Sequence, residues 1–365
     1  MEKTLRIGFI PLTDCAPLVV AQEKGFFARH GLRVELRKAQ SWDQIVSRLA
    51  VGDLDAAHML ITLPLQWALG EGRREPVAYA VALSQHGNAL TVSNALWRAG
   101  VRDAATLKSH LAARREARPL RLAVVYPRST HEYTLRLWLQ RGDLEIGRDV
   151  ALSYVPPPEM VHQLRLGEID GFCVGEPWNQ RAVTSKLGYI VATSLDLLPP
   201  MNEKVLAVRA SWHREHAETH ALLVRAVLEA AEWLGDRNHL EEIVDVVAGK
   251  RYVNSSREPI RAALLGEIQA GGGRVLRPRG FLRFFGEGAN FPDPNHARFY
   301  LEQMWRCGHV SGEQAQSLDL KSICLDDFYR ECLRRFDLGG TERLPKDSRE
   351  SYPTFLKRFP SSDTT

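Results

Sequence analysis

The sequence predicts an α/β chain of two lobes, each a mainly parallel sheet flanked by helices. Three observations point there. Buried-strand and amphipathic-helix patterns alternate from Leu5 to about Leu60. A helix-into-strand unit then recurs once, 115 residues later, from Val46 to Val161. After Lys204-Val205-Leu206-Ala207-Val208 the pattern turns almost wholly helical, from Trp212 through about Phe336.

Leu5-Arg6-Ile7-Gly8-Phe9-Ile10 reads as a buried first strand. Asp14 sits where it would cap a helix from about Pro17 to His30, with Gly31 as its left-handed stop. Leu32-Arg33-Val34-Glu35-Leu36 alternates apolar and charged residues, as a half-buried strand does. Ser41 and Gln44 form a capping box for a helix that places Trp42, Ile45, Val46 and Leu49 on one face. The two copies of the repeat read Val46-Ser47-Arg48-Leu49-Ala50-Val51-Gly52-Asp53-Leu54-Asp55-Ala56 and Val161-His162-Gln163-Leu164-Arg165-Leu166-Gly167-Glu168-Ile169-Asp170-Gly171. Each is a helix, a glycine stop, an acidic residue and a strand opening with Asp. The spacing is too long for a solenoid and fits two related lobes.

In the second lobe, Ala104–Arg115 reads as a helix, Leu120–Tyr126 as a buried strand, and Thr130–Gln140 as a helix capped by Ser129 or Thr130. Ala151–Val155 is a strand stopped by Pro156-Pro157-Pro158, and Phe172-Cys173-Val174 finishes the next. The domain reading is therefore 1–95 for the first part of lobe 1 and 96–204 for lobe 2. Residues 205–338 return to clad lobe 1 with helices, and 339–365 form a mobile tail rich in charge, Ser and Pro.

Composition narrows the functional classes. At 365 residues the chain has room for two domains. No apolar run reaches the roughly 18 residues that span a bilayer, so no membrane contact is expected. The net charge of +4 is spread along the chain and does not point to nucleic acid. Five cysteines with no close C-x-x-C pair argue against a disulfide framework or a zinc site, and for reduced thiols in the cytosol. Only Met1-Glu2-Lys3-Thr4 precedes the first strand, without the apolar stretch of a secretion signal, so a cytoplasmic location is expected.

In open α/β sheets ligands bind beyond the carboxyl ends of strands, and five residues near such points carry suggestive chemistry. Gly175 lies between a strand and a helix opened by Pro177, where backbone approaches a ligand closely and freed N–H groups favour an anion. It is equally ordinary turn chemistry, with Glu176 supporting the turn. His131, at a helix start, is either an anion donor or a surface histidine. Lys204, just before a strand at the crossover between lobes, is either a solvated lysine or the point charge for an anion. Trp42 offers a ring face or fills the core. Asn88, in His86-Gly87-Asn88, donates an amide or makes a turn. Together the five suit a small oxyanion. A sugar would ask for several carboxylates, and an amino acid for a partner to its ammonium group. No G-x-S-x-G, H-E-x-x-H, P-loop or triad is present, so the chain reads as a binder without catalytic residues, metal or cofactor.

The run Gly8-Phe9-Ile10-Pro11-Leu12-Thr13-Asp14-Cys15-Ala16-Pro17 resembles the nitrate- and bicarbonate-binding family of solute receptors. So do Ser41-Trp42, Asp55-Ala56-Ala57-His58, Pro156-Pro157-Pro158-Glu159-Met160-Val161 and Phe172-Cys173-Val174-Gly175-Glu176-Pro177-Trp178-Asn179. The likeness covers roughly residues 5 to 330. It implies a two-lobed periplasmic-binding-protein-like fold of the Venus-flytrap kind (type II). It also implies an anion held by Trp42, Asn88, His131, Gly175 and Lys204, where the family more often has Gln at the position of Asn88. Keeping both His131 and Lys204 is similar to the nitrate branch, with nitrite as a possible second ligand, rather than to the calcium-associated bicarbonate branch. The short leader resembles the cytoplasmic nitrate sensors of nitrate-assimilation operons. That likeness implies a protein partner, an RNA-binding antiterminator of the response-regulator (ANTAR) kind, held without nitrate and released with it, and no direct contact with nucleic acid. Alternatives are the solute-binding subunit of a nitrate or bicarbonate ABC transporter lacking its signal peptide, and the receptor-like part of a transporter ATPase. A thiamine-pyrimidine synthase would need a cysteine-rich motif that this sequence lacks.

Overall fold

The computed structural model describes residues 4–70, 75–114, 119–338, 344 and 351–357. Its first strand, β1 (Leu5–Phe9), is followed by α1 (Ala16–Glu23), which carries Pro17 in its first turn. The helix ends earlier than the sequence suggests. Gly25 at φ 72° breaks it, and Phe26–Arg29 forms a separate turn of helix. β2 (Val34–Lys38) pairs in parallel with β1. α2 (Trp42–Ala50) starts where expected: the Ser41 hydroxyl accepts from the Gln44 amide at 3.3 Å, and the Gln44 side chain accepts from the Gln40 amide at 2.9 Å. It buries Trp42, Ile45, Val46 and Leu49. β3 (Ala56–Leu60) and β4 (Val77–His86) complete the first part of lobe 1.

Lobe 2 comprises β5 (Asn88–Ser93), β6 (Leu120–Val124), α3 (Thr130–Gln140), β7 (Val150–Tyr154), α4 (Met160–Leu166), β8 (Gly171–Gly175), α5 (Trp178–Thr184) and β9 (Gly188–Thr193). The chain returns through β10 (Asn202–Arg209) to α6 (Ala217–Gly235), which packs against α1.

The repeat has a structural meaning. In lobe 1 the Arg6 amide donates to Asp55 Oδ2 at 2.9 Å; in lobe 2 the Arg121 amide donates to Asp170 Oδ2 at 2.8 Å. In each lobe the closing Asp of the repeat pins the start of the neighbouring parallel strand. The preceding glycines, Gly52 and Gly167, take φ 76° and 71°, which turns the helix sharply into that strand.

Both sheets are mixed. The first runs β13 (Leu282–Arg283)-β4-β10-β3-β1-β2 and the second β7-β6-β8-β5-β9, and only β3-β1-β2 and β7-β6-β8 are parallel. β4 and β5 are joined through His86 (φ 56°) and Gly87 (φ 92°), and β10 carries the chain back. A strand that arrives from the other lobe runs against its new neighbours, so the mainly parallel expectation holds on one side of each sheet. The first crossing also comes earlier than residue 96, since β5 already belongs to the second sheet.

The returning segment is less helical than its pattern suggests. It contains the hairpin β11 (Ile268–Gly271) and β12 (Arg274–Leu276), and β13 (Leu282–Arg283) extends the first sheet beside β4. The hairpin lies on lobe 2, not lobe 1. The Gln180 side chain donates to the Gln269 carbonyl at 3.0 Å and accepts from its amide at 3.1 Å. α7 (Pro294–Arg306) follows. Part of the expected tail is docked as α8 (Tyr352–Leu356), with Phe355 fully buried beside His296. Apart from Leu344 and 351–357, the span 339–365 lies outside the described residues.

Candidate functional site

The two lobes touch across their cleft. The Thr13 amide donates to the Glu176 carbonyl at 2.8 Å, and Gln66 Nε2 donates to the Pro127 and Arg128 carbonyls at 3.3 and 3.1 Å. Between these contacts lies the centre of the site.

Asp14 does not cap a helix. The helix begins two residues later without a side-chain cap, and the Asp14 carboxylate is buried instead. Its Oδ2 is 3.0 Å from Lys204 Nζ and its Oδ1 3.0 Å from His58 Nε2. Because His58 Nδ1 accepts from the Ile10 amide at 3.4 Å, the His58 ring proton belongs on Nε2, towards Asp14. Burial alone would raise the Asp14 pKa. The Lys204 charge and the His58 hydrogen bond outweigh that and bring it down to about 2.

Lys204 lies within β10, not before it, between β3 and β4, and is fully buried. Nζ is 2.9 Å from Glu203 Oε1 and 5.9 Å from the Trp42 ring centroid. Burial works against its charge, but Asp14 and Glu203 overcome this and hold its pKa above the ordinary value. Glu203 is likewise buried, yet Lys204 keeps its carboxyl below the usual range. Glu203 also joins the lobes, since Thr130 Oγ1 donates to its Oε1 and His131 Nε2 lies 4.0 Å away.

His131 is no surface residue: it is the second residue of α3, capped by Ser129, and is fully buried. Burial drives its pKa down to about 3 against the pull of Glu203. Asn88 opens β5 in register with Gly175 of β8. Among buried polar atoms without a hydrogen-bond partner are Trp42 Nε1, Asn88 Nδ2 and Oδ1, and His131 Nε2. Such orphans are rare in native interiors and ask for a polar occupant.

Gly175 completes the circle. A Cβ there would meet Asn88 Oδ1 at 3.3 Å, Leu12 Cδ2 at 3.5 Å and Asp14 Oδ2 at 3.6 Å. Gly175→Ala should therefore fold but intrude on the space beside Asn88. We expect the variant to melt within a few degrees of wild type and to bind its anion at least about tenfold more weakly, the effect of losing about 1.4 kcal/mol. Unchanged affinity in a titration would show that Gly175 does not border the ligand. The anion-ready amides expected beyond Gly175 are partly spent, since the Glu176 amide donates to the Gly87 carbonyl at 3.1 Å.

All five residues singled out in the sequence are thus connected around Asp14 and Glu203. The connecting residues themselves, Asp14, His58, Thr130 and Glu203, escaped that reading. A signal existed for Glu203: a charged pair, Glu203-Lys204, opening an otherwise apolar strand. The site does contain carboxylates, but both are committed to its own lysine, which leaves the small-oxyanion reading over the sugar one. A hollow of about 630 Å³ at the seam of β12 with lobe 2 holds none of these residues.

Fold and site together define a two-lobed α/β chain of the periplasmic-binding-protein type, closed over a buried polar centre. The chain belongs to the NMT1-like family, whose model matches residues 1–248. It is 41% identical over 348 residues to the nitrate import ATP-binding protein NrtC of Synechocystis sp. (strain ATCC 27184 / PCC 6803 / Kazusa), covering 93% of this chain and 52% of that protein. It is 31% identical over 366 residues to the nitrate/nitrite binding protein NrtA of Synechococcus elongatus (strain ATCC 33912 / PCC 7942 / FACHB-805), covering 97% and 82%. The crystal structure of the periplasmic nitrate-binding protein NrtA from Synechocystis PCC 6803 superposes with a TM-score of 0.88 at 28% identity, over 94% of this chain and 91% of that one. The chain spans about half the length of the ATP-binding relatives it matches.

Proposed function

We propose that this chain is a nitrate receptor, with nitrite as a second ligand, and that it works as a cytoplasmic sensor rather than as an enzyme. The observation that carries the nitrate reading is the buried centre itself. An ammonium, an indole N–H, an amide and an imidazole are buried together with Gly175 around Asp14 and Glu203, three of them with unpartnered atoms. A flat, monovalent oxyanion presents acceptors to each. The 31% identity to NrtA supports this reading.

A ligand that touches both lobes favours the closed state by as much as its affinity differs between states. A partner that prefers the open form must then weaken nitrate binding by the factor by which nitrate weakens its own. For the sensor, that partner is an RNA-binding antiterminator, sequestered without nitrate and released with it. Calorimetric titration with nitrate, nitrite and bicarbonate, with and without calcium, tests the ligand. Saturable nitrate binding with a stoichiometry near one is the expected result; calcium-dependent bicarbonate binding with no response to nitrate overturns it.

The 41% identity to NrtC favours a second reading, in which the chain is the receptor part of a nitrate transporter assembly. Co-elution on size exclusion separates the two. A complex with the antiterminator that nitrate dissolves supports the sensor; a nitrate-dependent complex with an ATP-binding subunit supports the transporter.

A further inference from the structure

We propose that anion capture in this cleft takes up a proton from solvent onto His131 Nε2, and that Glu203 is the residue that imposes it. The inference rests on the nitrate reading and deepens it. The fixed charges of the centre are the carboxylates of Asp14 and Glu203 against the one ammonium of Lys204, within 3.0 Å of both. That leaves one net negative charge, fully buried, before any ligand arrives. A monovalent anion would double it in a medium that screens poorly. Some group must take up a proton, and Asp14 and Glu203 already accept from Lys204 and Thr130, contacts that protonating them would weaken.

The hydrogen bonds select which group. His58 Nδ1 accepts from the Ile10 amide, so a second ring proton there forfeits a backbone hydrogen bond, and its Nε2 lies 3.0 Å from Asp14 Oδ1 rather than towards the unpartnered atoms of the cleft. His131 is placed differently. The Thr130 hydroxyl gives its hydrogen to Glu203, so at 3.4 Å from His131 Nδ1 it can only accept. His131 then carries its single proton on Nδ1 and leaves a lone pair on Nε2. That nitrogen is buried, unpartnered and 4.0 Å from the Glu203 carboxylate. A lone pair there repels an anion, whereas an N–H there donates to one while facing Glu203.

The other titratable groups around this centre stay uncharged below about pH 7, including Glu176, whose carboxyl beside Gly175 burial raises to about 8, and His58, whose ring burial holds below its ordinary value. Burial raises Cys173 on β8 and Tyr300 on α7 well above their ordinary values. It lowers His86 to about 4 and brings His131 to about 3 in the unliganded protein. His131 is therefore uncharged at neutral pH until an anion arrives.

Nitrate titrations of the full chain at one pH, in buffers of different ionisation enthalpy, read the proton count directly. The expected slope is about one proton taken up per anion, with the apparent Kd weakening about tenfold per pH unit between about pH 5 and 7, below the range in which Glu176 ionises. In Glu203→Gln, shown to be folded by circular dichroism, the uptake should fall close to zero and the pH profile should flatten. Tight nitrate binding without proton uptake in the wild type would overturn the proposal alone, since a tautomer exchange at His131 would then suffice. An undiminished uptake in Glu203→Gln would remove the role of Glu203. No response to nitrate in any buffer would overturn the nitrate reading, and this inference with it.

Discussion

Lys204→Ala is expected to abolish nitrate binding and to destabilise the fold by about 3–5 kcal/mol, the usual result of stripping one partner from a buried ionic cluster. Asp14 and Glu203 are both buried and both lie within 3.0 Å of Lys204 Nζ. Without it, two carboxylates remain in the interior with no cation, and must be protonated or exposed. A denaturant midpoint that hardly moves would mean that the cluster relaxes to water more easily than its burial suggests. The triple variant Asp14→Asn, Glu203→Gln, Lys204→Met separates stability from recognition. Shape-matched neutral side chains should restore much of the stability, while nitrate binding stays lost. Recovery of nitrate binding in the triple variant would show that Lys204 is not the anion's counter-charge.

The second large effect lies at Glu176, and it concerns stability alone. Its carboxyl is buried beside Gly175, where Oε2 accepts from the Gln180 amide at 3.0 Å. Burial raises its pKa from 4.5 to about 8, against the hydrogen bonds from Gln180 and Asn179. Between those values the folded chain holds a proton that the unfolded chain has released. The associated stability is complete below the unfolded pKa and is lost as pH rises towards the folded one, by about 1.4 kcal/mol for each unit crossed. Glu176→Gln keeps the volume and the acceptor but cannot ionise. Thermal melts should therefore coincide with wild type near pH 4 and favour the variant increasingly up to about pH 8. A difference that does not change with pH would place the Glu176 charge in contact with solvent.

Acid should attack the other carboxylate from the opposite side. Asp14 has a folded pKa of about 2 against an ordinary 3.8. Its contribution is present above pH 4 and disappears as pH falls through that interval. The two groups bracket the range in which the closed form is most stable.

Much of the fold was legible because it rests on local pattern. α2 shows its buried face by period and its start by the Ser41 cap, and the internal repeat announces two lobes. The shared hydrogen bonds of Asp55 and Asp170 explain why the strand of each repeat copy opens with aspartate. What escaped depends on partners distant in the chain. A carboxylate just before a helix looks like a cap, and nothing near Asp14 reveals that its partner is Lys204, 190 residues on. Glu203-Lys204 reads as a crossover loop until β3 and β4 are seen on either side of it. The hairpin β11–β12 is short and turns on Gly271-Gly272-Gly273, all at positive φ, so it lacks the alternation that marks longer strands. Its docking on Gln180 ties the returning segment to lobe 2, which no local pattern encodes.

The five site candidates stand out in the sequence by their chemistry, and the structure gives two of them an environment the sequence does not show. His131 reads from the sequence as a surface histidine or an anion donor, and it is fully buried. Lys204 was weighed as a solvated charge, and it is the hub of the ionic cluster. Burial is a property of the assembled sheets, and the segments containing these residues do not carry it.

The central claim is that nitrate occupies the centre formed by Trp42, Asn88, His131, Gly175 and Lys204. A crystal structure of the chain grown with saturating nitrate tests it most directly. The account predicts a planar anion within hydrogen-bond reach of Trp42 Nε1, Asn88 Nδ2, His131 Nε2 and Lys204 Nζ, beside Gly175, in a closed cleft. Nitrate bound elsewhere, or a closed centre filled by water alone at a concentration that saturates calorimetry, would contradict it.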